Sequence, residues 1–168
     1  MNASAKNLPH PLRMTSSGFT LIELMVTIAV LAIIVSIAAP NISNQLANQR
    51  VKSTAATIAN ALKEAKVESI VRRQNVTVVY TDTSTSKTIK LRANNTDIFS
   101  YNISDKSTVT QTITPSTVTS IAFQPNKKIV GGATVVYTIC DSGSNSETPK
   151  QVKLTNIANV NTISAGSC

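Results

Sequence analysis

The chain has 168 residues, of which 42% are apolar, 14% charged and 4% aromatic, and it carries 16 Lys+Arg against 8 Asp+Glu. The length suits one domain of ordinary size. With no Trp, one His (His10) and two Cys (Cys140 and Cys168), there is little material for a base-stacking aromatic platform, a Ser/His/Asp or Cys/His catalytic site, or a His-rich metal site. The composition therefore argues against an enzyme, and we predict no cofactor and no metal.

The first predicted element is an apolar helix at Phe19–Ala39, which carries a single charge, Glu23. About 20 apolar helical residues are enough to cross the hydrocarbon core of a bilayer. The preceding residues 1–18 are polar and contain basic but no acidic side chains, and such a flank stays in the cytoplasm while the following chain crosses. We therefore expect one membrane pass, with the residues beyond Pro40 outside the cytoplasm.

Three interpretations of this segment compete. A secretory signal peptide would be cleaved near Ser36-Ile37-Ala38, but its apolar core usually has about 7–15 residues and no acid. A plain membrane anchor leaves Glu23 unexplained, because an ionised carboxylate in hydrocarbon costs about 2.5–3.5 kcal/mol and needs a partner. The third interpretation rests on the residues that begin the apolar run.

The sequence Gly18-Phe19-Thr20-Leu21-Ile22-Glu23, behind a basic leader and ahead of an apolar helix, resembles the type IV prepilin motif. In that family a prepilin peptidase cuts after the glycine and the new N-terminal residue is methylated. The resemblance implies cleavage between Gly18 and Phe19, N-methylation of Phe19, and pairing of Glu23 with the N-terminal amine of a neighbouring subunit in a filament. The physics agrees, because opposite charges in low dielectric offset each other's burial penalty.

Pro40 is expected to kink the helix rather than end it, because helical periodicity resumes beyond it. The helix is predicted from Phe19 to about Arg73, apolar on all sides in its first half and one-sided in its second half. Such a division places one half in lipid or a filament core and packs the other half on a sheet. The predicted apolar stripe of the second half is Ile42, Leu46, Val51, Ala55, Ile58, Leu62, Ala65 and Ile70.

Beyond the helix the pattern changes to short runs rich in β-branched residues, separated by Asn, Asp, Pro and Gly. An amphipathic helix followed only by short strands implies an antiparallel sheet with the helix covering one face, which is an α+β fold. The predicted strands are Val76–Thr81, Thr88–Ala93, Ile98–Ile103, Val118–Phe123, Ala133–Cys140 and Gln151–Thr155, with a last apolar stretch at Ile157–Ile163.

The helix-to-sheet junction also resembles the signature of the H-type minor pseudopilin and FimU/FimT minor pilin branch. The matching residues are Ala65, Lys66, Glu68, Ile70, Arg72 or Arg73, Val76 and Val78, whereas Val67 replaces the usual small residue. The resemblance implies the type IV pilin fold, a long N-terminal helix packed on an antiparallel β-sheet head. A simpler interpretation of the two arginines is that cations complement the carbonyl end of a helix.

The expected organisation has four parts. Residues 1–18 are a cleaved prepilin leader, 19–40 an apolar transmembrane or filament-core helix, 41–73 an amphipathic half-helix, and 74–168 a β-rich periplasmic or extracellular head.

Cys140 closes a predicted strand and Cys168 is the final residue of the sequence. Two thiols outside the cytoplasm are typical of a disulfide, which would hold the C-terminal strand in place. A metal or catalytic role is disfavoured, because no third ligand accompanies them.

The excess of bases predicts weak, salt-sensitive attraction to phosphates. Lys90 and Arg92 share a strand face and form the candidate DNA patch. FimT-type DNA-binding pilins carry an arginine-rich C-terminal tail, whereas residues 162–168 contain no cation. A DNA receptor is therefore not favoured.

The resemblance implies a minor type IV pilin, a structural subunit that primes assembly or links the tip complex to the major pilin and supports pilus biogenesis and twitching motility. The alternatives are an H-type minor pseudopilin of a type II secretion system and a FimT-like DNA-binding pilin for natural transformation. The implied partners are other minor and major pilins through helix–helix packing, the prepilin peptidase, the inner-membrane assembly platform, and membrane lipid before assembly. The implied location is a single pass in the inner membrane with a periplasmic head, then the surface pilus of a Gram-negative bacterium.

Overall fold

The computed structural model describes residues 18–83, 85–144 and 146–168. The predicted leader, apart from Gly18, lies outside the described residues. The chain divides into two compact units, Met1–Ala39 and Pro40–Cys168.

The long helix α1 runs from Leu21 to Arg72, close to the predicted Phe19 to about Arg73. Its backbone is helical at Pro40, so this proline does not end the helix, as predicted. The helix ends where Arg73 adopts a left-handed backbone with φ of 54°. The amide of Arg73 donates to the carbonyl of Ile70 at 3.3 Å, which satisfies one of the carbonyls left unpaired at a helix end.

In the part of the chain that the structure describes beyond α1, eight strands form two antiparallel sheets. The first sheet has the order β3-β2-β1-β5 and the second the order β4-β6-β7-β8. The strands are β1 (Val76–Asp82), β2 (Lys87–Ala93), β3 (Thr96–Ile103), β4 (Ser107–Thr114), β5 (Ile121–Phe123), β6 (Thr134–Asp141), β7 (Lys150–Leu154) and β8 (Val160–Ser164). The antiparallel α+β architecture agrees with the prediction.

The prediction of one sheet was wrong, and β4 was missed. β4 has the sequence STVTQTIT, and its many threonines make it resemble a polar loop. In the structure its residues alternate as in a strand: Ser107 and Val109 are buried, and every second residue is exposed. The threonines of β4 lie on its exposed face, and each is paired across the ladder with a residue of β6. Threonine is β-branched and favours strands where it has such cross-strand neighbours. β5 is shorter than the predicted Val118–Phe123. The last apolar stretch, predicted at Ile157–Ile163, contains most of β8 (Val160–Ser164).

One apolar core joins the second half of α1 to both sheets. Val51, Ile58 and Leu62 of the helix are fully buried, together with residues such as Tyr137 and Phe123 from the two sheets. Each buried aliphatic side chain contributes about 1.5–3 kcal/mol relative to exposure.

The predicted apolar stripe was wrong at its two ends. Ile42 is 56% exposed, Leu46 53% and Ile70 38%. The buried positions of the helix run from Ala47 to Ser69, because only this stretch lies against the strands. Periodicity identifies the face of a helix, but it does not show where the packing partner begins and ends.

Candidate assembly site

The N-terminal unit exposes a continuous apolar helix. Every described side chain from Gly18 to Ile37 is exposed. The free energy gained by covering apolar surface is about 25 cal/mol per Å², so a surface of this kind marks contact with lipid or with other helices. The large exposed side chains are Phe19, Leu21, Ile22, Leu24, Met25, Val26, Ile28, Val30, Leu31, Ile33, Ile34, Val35 and Ile37.

By length and hydropathy, no single described helix qualifies as a membrane span. The pieces Leu21–Ile37 and Ile42–Arg72 qualify when they are taken together as one interrupted span.

Thr20 caps the start of α1. Its Oγ1 accepts a hydrogen bond from the amide of Glu23 at 3.2 Å, which satisfies one of the unpaired donors at the helix N-terminus. This capping role was not predicted, although Thr20-x-x-Glu23 is the spacing of a capping box. Within residues 18–83, 85–144 and 146–168, Glu23 makes no ion pair.

Gly18 and Phe19 lie at the exposed start of this helix. A β-carbon added at Gly18 would meet no atom of the described residues within 4 Å, so their packing does not require glycine there. Cleavage after Gly18 and methylation of Phe19 stay predictions of the resemblance.

The residues of the junction signature mostly stabilise the head. Ala65, Val76 and Val78 are buried, and Lys66 Nζ donates to the carbonyl of Ala158 at 2.9 Å. Glu68 pairs with Arg72 one turn later. The signature therefore holds the end of α1 against the first strand and the loop that precedes β8.

The loop after β6 is tied to α1 by contacts between residues far apart in the sequence. Arg50 donates from Nε to Oδ2 of Asp141 at 2.6 Å and from Nη2 to Oδ1 at 2.9 Å, and the Asp141 side chain is fully buried. A bidentate guanidinium–carboxylate pair fixes both position and angle. Two further hydrogen bonds connect the same segments. The amide of Thr148 donates to Asn48 Oδ1 at 2.7 Å, and Ser144 Oγ donates to Asn44 Oδ1 at 3.3 Å.

The hydrogen bonds from Arg50 hold the pKa of Asp141 below its usual range. Burial acts in the opposite direction, and the amide of Gly143 adds to the lowering. Because the pKa is lower in the folded than in the unfolded state, the pair stabilises the head above the unfolded pKa of about 4. That contribution is lost as the pH falls through the folded-state pKa.

We expect Asp141→Asn to reduce the free energy of unfolding at pH 7 by about 1–3 kcal/mol, because it weakens a buried charge-assisted contact. It should also reduce the loss of stability between about pH 4 and the lower folded-state pKa. Chemical denaturation of wild type and variant at several pH values measures both effects. Some acid sensitivity should persist, because Lys90 and Arg92 also lower the pKa of Asp97. Identical acid profiles for wild type and variant would contradict this account.

The candidate DNA patch is internally paired. Lys90 Nζ donates to Oδ2 of Asp97 at 2.8 Å, and Arg92 Nε donates to Oδ1 of the same carboxylate. The tight turn at Asn94 and Asn95, both with a left-handed backbone, brings Asp97 on β3 opposite Arg92 on β2. One of the two positive charges is therefore neutralised by Asp97, which was not predicted as a partner.

We expect a soluble head beginning at Pro40 to bind duplex DNA weakly at 50 mM salt and to lose this binding at 200 mM, because scattered lysines give only counterion-release affinity. A soluble head that begins at Pro40 retains two residues of α1 that contact the rest of the head, namely Asn44, which bonds to Ser144, and the buried Ala47. Replacing Lys90 and Arg92 by Ala should change little. Binding that persists at 200 mM and depends on those two residues would instead favour a DNA receptor.

Cys140 and Cys168 form a disulfide, as predicted, with their Cα atoms 6.0 Å apart. The bond joins the end of β6 to the last residue and lies beside the loop that follows β6. It lines a cleft of about 370 Å³ together with Asp141 and Glu147. Within the described residues no group of His, Cys, Asp and Glu is arranged to hold a metal ion.

Two family profiles match the chain. Residues 13–39 match the prokaryotic N-terminal methylation motif, and residues 54–157 match the type II transport protein GspH. No curated protein is significantly similar in sequence.

Two crystal structures of the Pseudomonas aeruginosa PAO1 type IV minor pilin FimU, in different crystal forms, share the fold. One has a TM-score of 0.55 at 15% identity and covers 70% of this chain and 98% of FimU. The other has a TM-score of 0.56 at 14% identity and covers 71% of this chain and 96% of FimU. The long helix with an antiparallel β head is thus the type IV pilin fold. Since the second profile spans more than half of the residues, the chain belongs to the type II transport protein GspH family of minor pilins and pseudopilins.

Proposed function

We propose that this protein is a minor type IV pilin that primes pilus assembly or links a tip complex to the major pilin, and so supports pilus biogenesis and twitching motility. The observation that carries the proposal is the exposed apolar helix Phe19–Ile37 with Glu23 near its start. Such a surface needs a cover along its length, and the helices of other pilins provide one.

The family implies association with other pilins and processing by a prepilin peptidase, and it describes membrane-anchored, pilus-associated proteins. We propose that residues 1–18 are the cleaved leader and that 19–40 lie in the inner membrane before assembly and in the filament core afterwards. In the same proposal, 41–73 brace the head, and 74–168 face the periplasm and then the cell surface. The assembly platform of a Gram-negative bacterium would transfer the helix from lipid to filament.

In the filament, we propose that Glu23 pairs with the methylated amine of Phe19 of a neighbouring subunit. Each charge then offsets the other's cost of burial. A polar pair of this kind also fixes the axial register between helices that are otherwise uniformly apolar.

A second candidate function is that of an H-type minor pseudopilin of a type II secretion system. The family description, a type II transport protein, favours it. The same helix and head would then serve a short periplasmic pseudopilus. A DNA-uptake role has less support, because Lys90 and Arg92 share Asp97.

Deleting the gene distinguishes the two candidates. We expect surface pili and twitching to be lost and exoprotein secretion to stay at the wild-type level, with pili restored by the wild-type gene in trans. Normal pili together with lost secretion would instead identify a pseudopilin.

A further inference from the structure

A cleft of about 340 Å³ lies between the polar side of α1 and strand β8. Lys52, Lys63 and Lys150 lie around it, alanines of α1 such as Ala56 and Ala59 form part of its wall, and Thr162 borders it from β8. The small alanine side chains leave room for a polypeptide backbone to lie along the helix.

The cleft borders a free strand edge. Among the described residues, β8 is the last strand of its sheet and pairs only with β7. The amide of Ala165 donates to the carbonyl of Pro149, which fixes the alternation of the ladder. Residues 161 and 163 therefore point their backbone groups toward β7, whereas the N–H and C=O groups of Val160, Thr162 and Ser164 point away from the sheet.

The three lysines have no acidic partner within the described residues. Lys150 Nζ donates to Ser164 Oγ at 2.9 Å, which holds a positive charge beside the outward edge of β8. The cleft therefore combines an unpaired strand edge with concentrated positive charge.

The carboxylates of this chain are mostly engaged elsewhere. Of the 8 acidic residues, only Glu23 and Asp105 lack a hydrogen-bonded or ion-pair partner in the described residues. A second copy of this chain is thus a poor source of carboxylates for the cleft.

We infer that the cleft accepts an extended, acidic segment of a different subunit, which adds as a fifth strand beside β8 and places carboxylates on the three lysines. This inference rests on the proposed function, because it assumes a multi-subunit filament. Main-chain bonding to a sheet edge supplies affinity in such pairing, and alternate side chains supply specificity. A polypeptide fits better than DNA, since a phosphodiester backbone has no N–H groups to pair with the carbonyls of β8.

The test compares two charge-reversal variants of the full-length protein in cells. Lys52→Glu/Lys63→Glu/Lys150→Glu reverses the cleft, and Lys127→Glu/Lys128→Glu/Lys153→Glu makes the same change in total charge elsewhere on the head. We expect the cleft variant to fall about tenfold in sheared pili, because like charges at an interface suppress pairing, and the control to stay within about twofold. Protein level and the oxidised state of Cys140–Cys168 in membranes report on folding.

A second variant tests the strand edge. Thr162→Pro removes one outward N–H and leaves the bonds to β7, a position where an edge strand tolerates proline. We expect the Thr162→Pro protein to be present in membranes at the wild-type level but to be incorporated less into pili. This variant therefore tests the inference even if the cleft variant does not accumulate.

The inference would be overturned if both Thr162→Pro and the cleft variant were incorporated into pili at the wild-type level. It would also be overturned if the cleft variant were incorporated normally but the full-length protein lost DNA binding. If Glu23→Ala reduces incorporation while the cleft changes do not, the proposed function stands and only the cleft assignment fails. Absence of the wild-type protein from pili would refute the proposed function itself.

Discussion

Replacing Glu23 by Ala is expected to leave membrane insertion and leader cleavage intact but to reduce incorporation into pili by about tenfold or more, since a charge left unpaired in low dielectric costs at least about 2.5 kcal/mol. The unpaired group would be the N-terminal amine of the neighbouring subunit. Immunoblots of sheared pili and of membranes, normalised to each other, measure the effect.

The helix start should survive this substitution, because the bond to Thr20 uses the amide of Glu23 and not its side chain. Glu23→Gln retains the size but not the charge, and it should behave like Ala. Glu23→Asp retains the charge and should recover part of the incorporation. Normal incorporation of the Ala and Gln variants would show that the charge-pairing account of Glu23 is wrong.

Cys168→Ser should destabilise the head by about 3–4 kcal/mol, because the disulfide closes a loop with a sequence separation of 28 residues and restricts the unfolded chain. The C-terminal residues after β8 should then fray. Thermal or denaturant unfolding of the soluble head beginning at Pro40, under oxidising conditions, measures the change.

Reductant supplies the control for this prediction. It should lower the stability of the wild-type head to that of the variant and should leave a Cys140→Ser/Cys168→Ser head unchanged. If the wild-type head is equally stable with and without reductant, the disulfide does not contribute to the stability of the head.

The disulfide and the Arg50–Asp141 pair act on neighbouring residues. Cys140 and Asp141 are consecutive at the end of β6, so one residue is tied to the C-terminus and the next to α1. A loop anchored on both sides has less conformational entropy to lose in any binding event. The head can thus present a defined surface at the end of its second sheet.

Several features could be predicted because they depend on neighbours in the sequence. The motif from Gly18 to Glu23, the apolar run behind it and the change from helical to strand periodicity are all local patterns. They identified the family, the helix from about Phe19 to Arg73 and most of the strands. The two cysteines also paired as predicted, because a chain with two thiols has only one possible intramolecular disulfide.

Other features depend on which distant segments meet, and local patterns carry little information about that. The threonine-rich strand β4 becomes recognisable only through its pairing with β6. The exposure of Ile42 and Leu46 depends on where the sheets stop covering α1.

The sequence by itself determined the methylation motif and the apolar helix with one acid, because both are defined by consecutive residues. Only the tertiary structure decided which charged side chains of the head form ion pairs with each other. Arg50 meets Asp141 across 91 residues, and Asp97 neutralises part of the Lys90 and Arg92 patch. Within the described residues, the three lysines of the cleft beside β8 have no acidic partner. Electrostatic partners are set by distance in space, which strand pairing and helix packing establish and residue spacing does not.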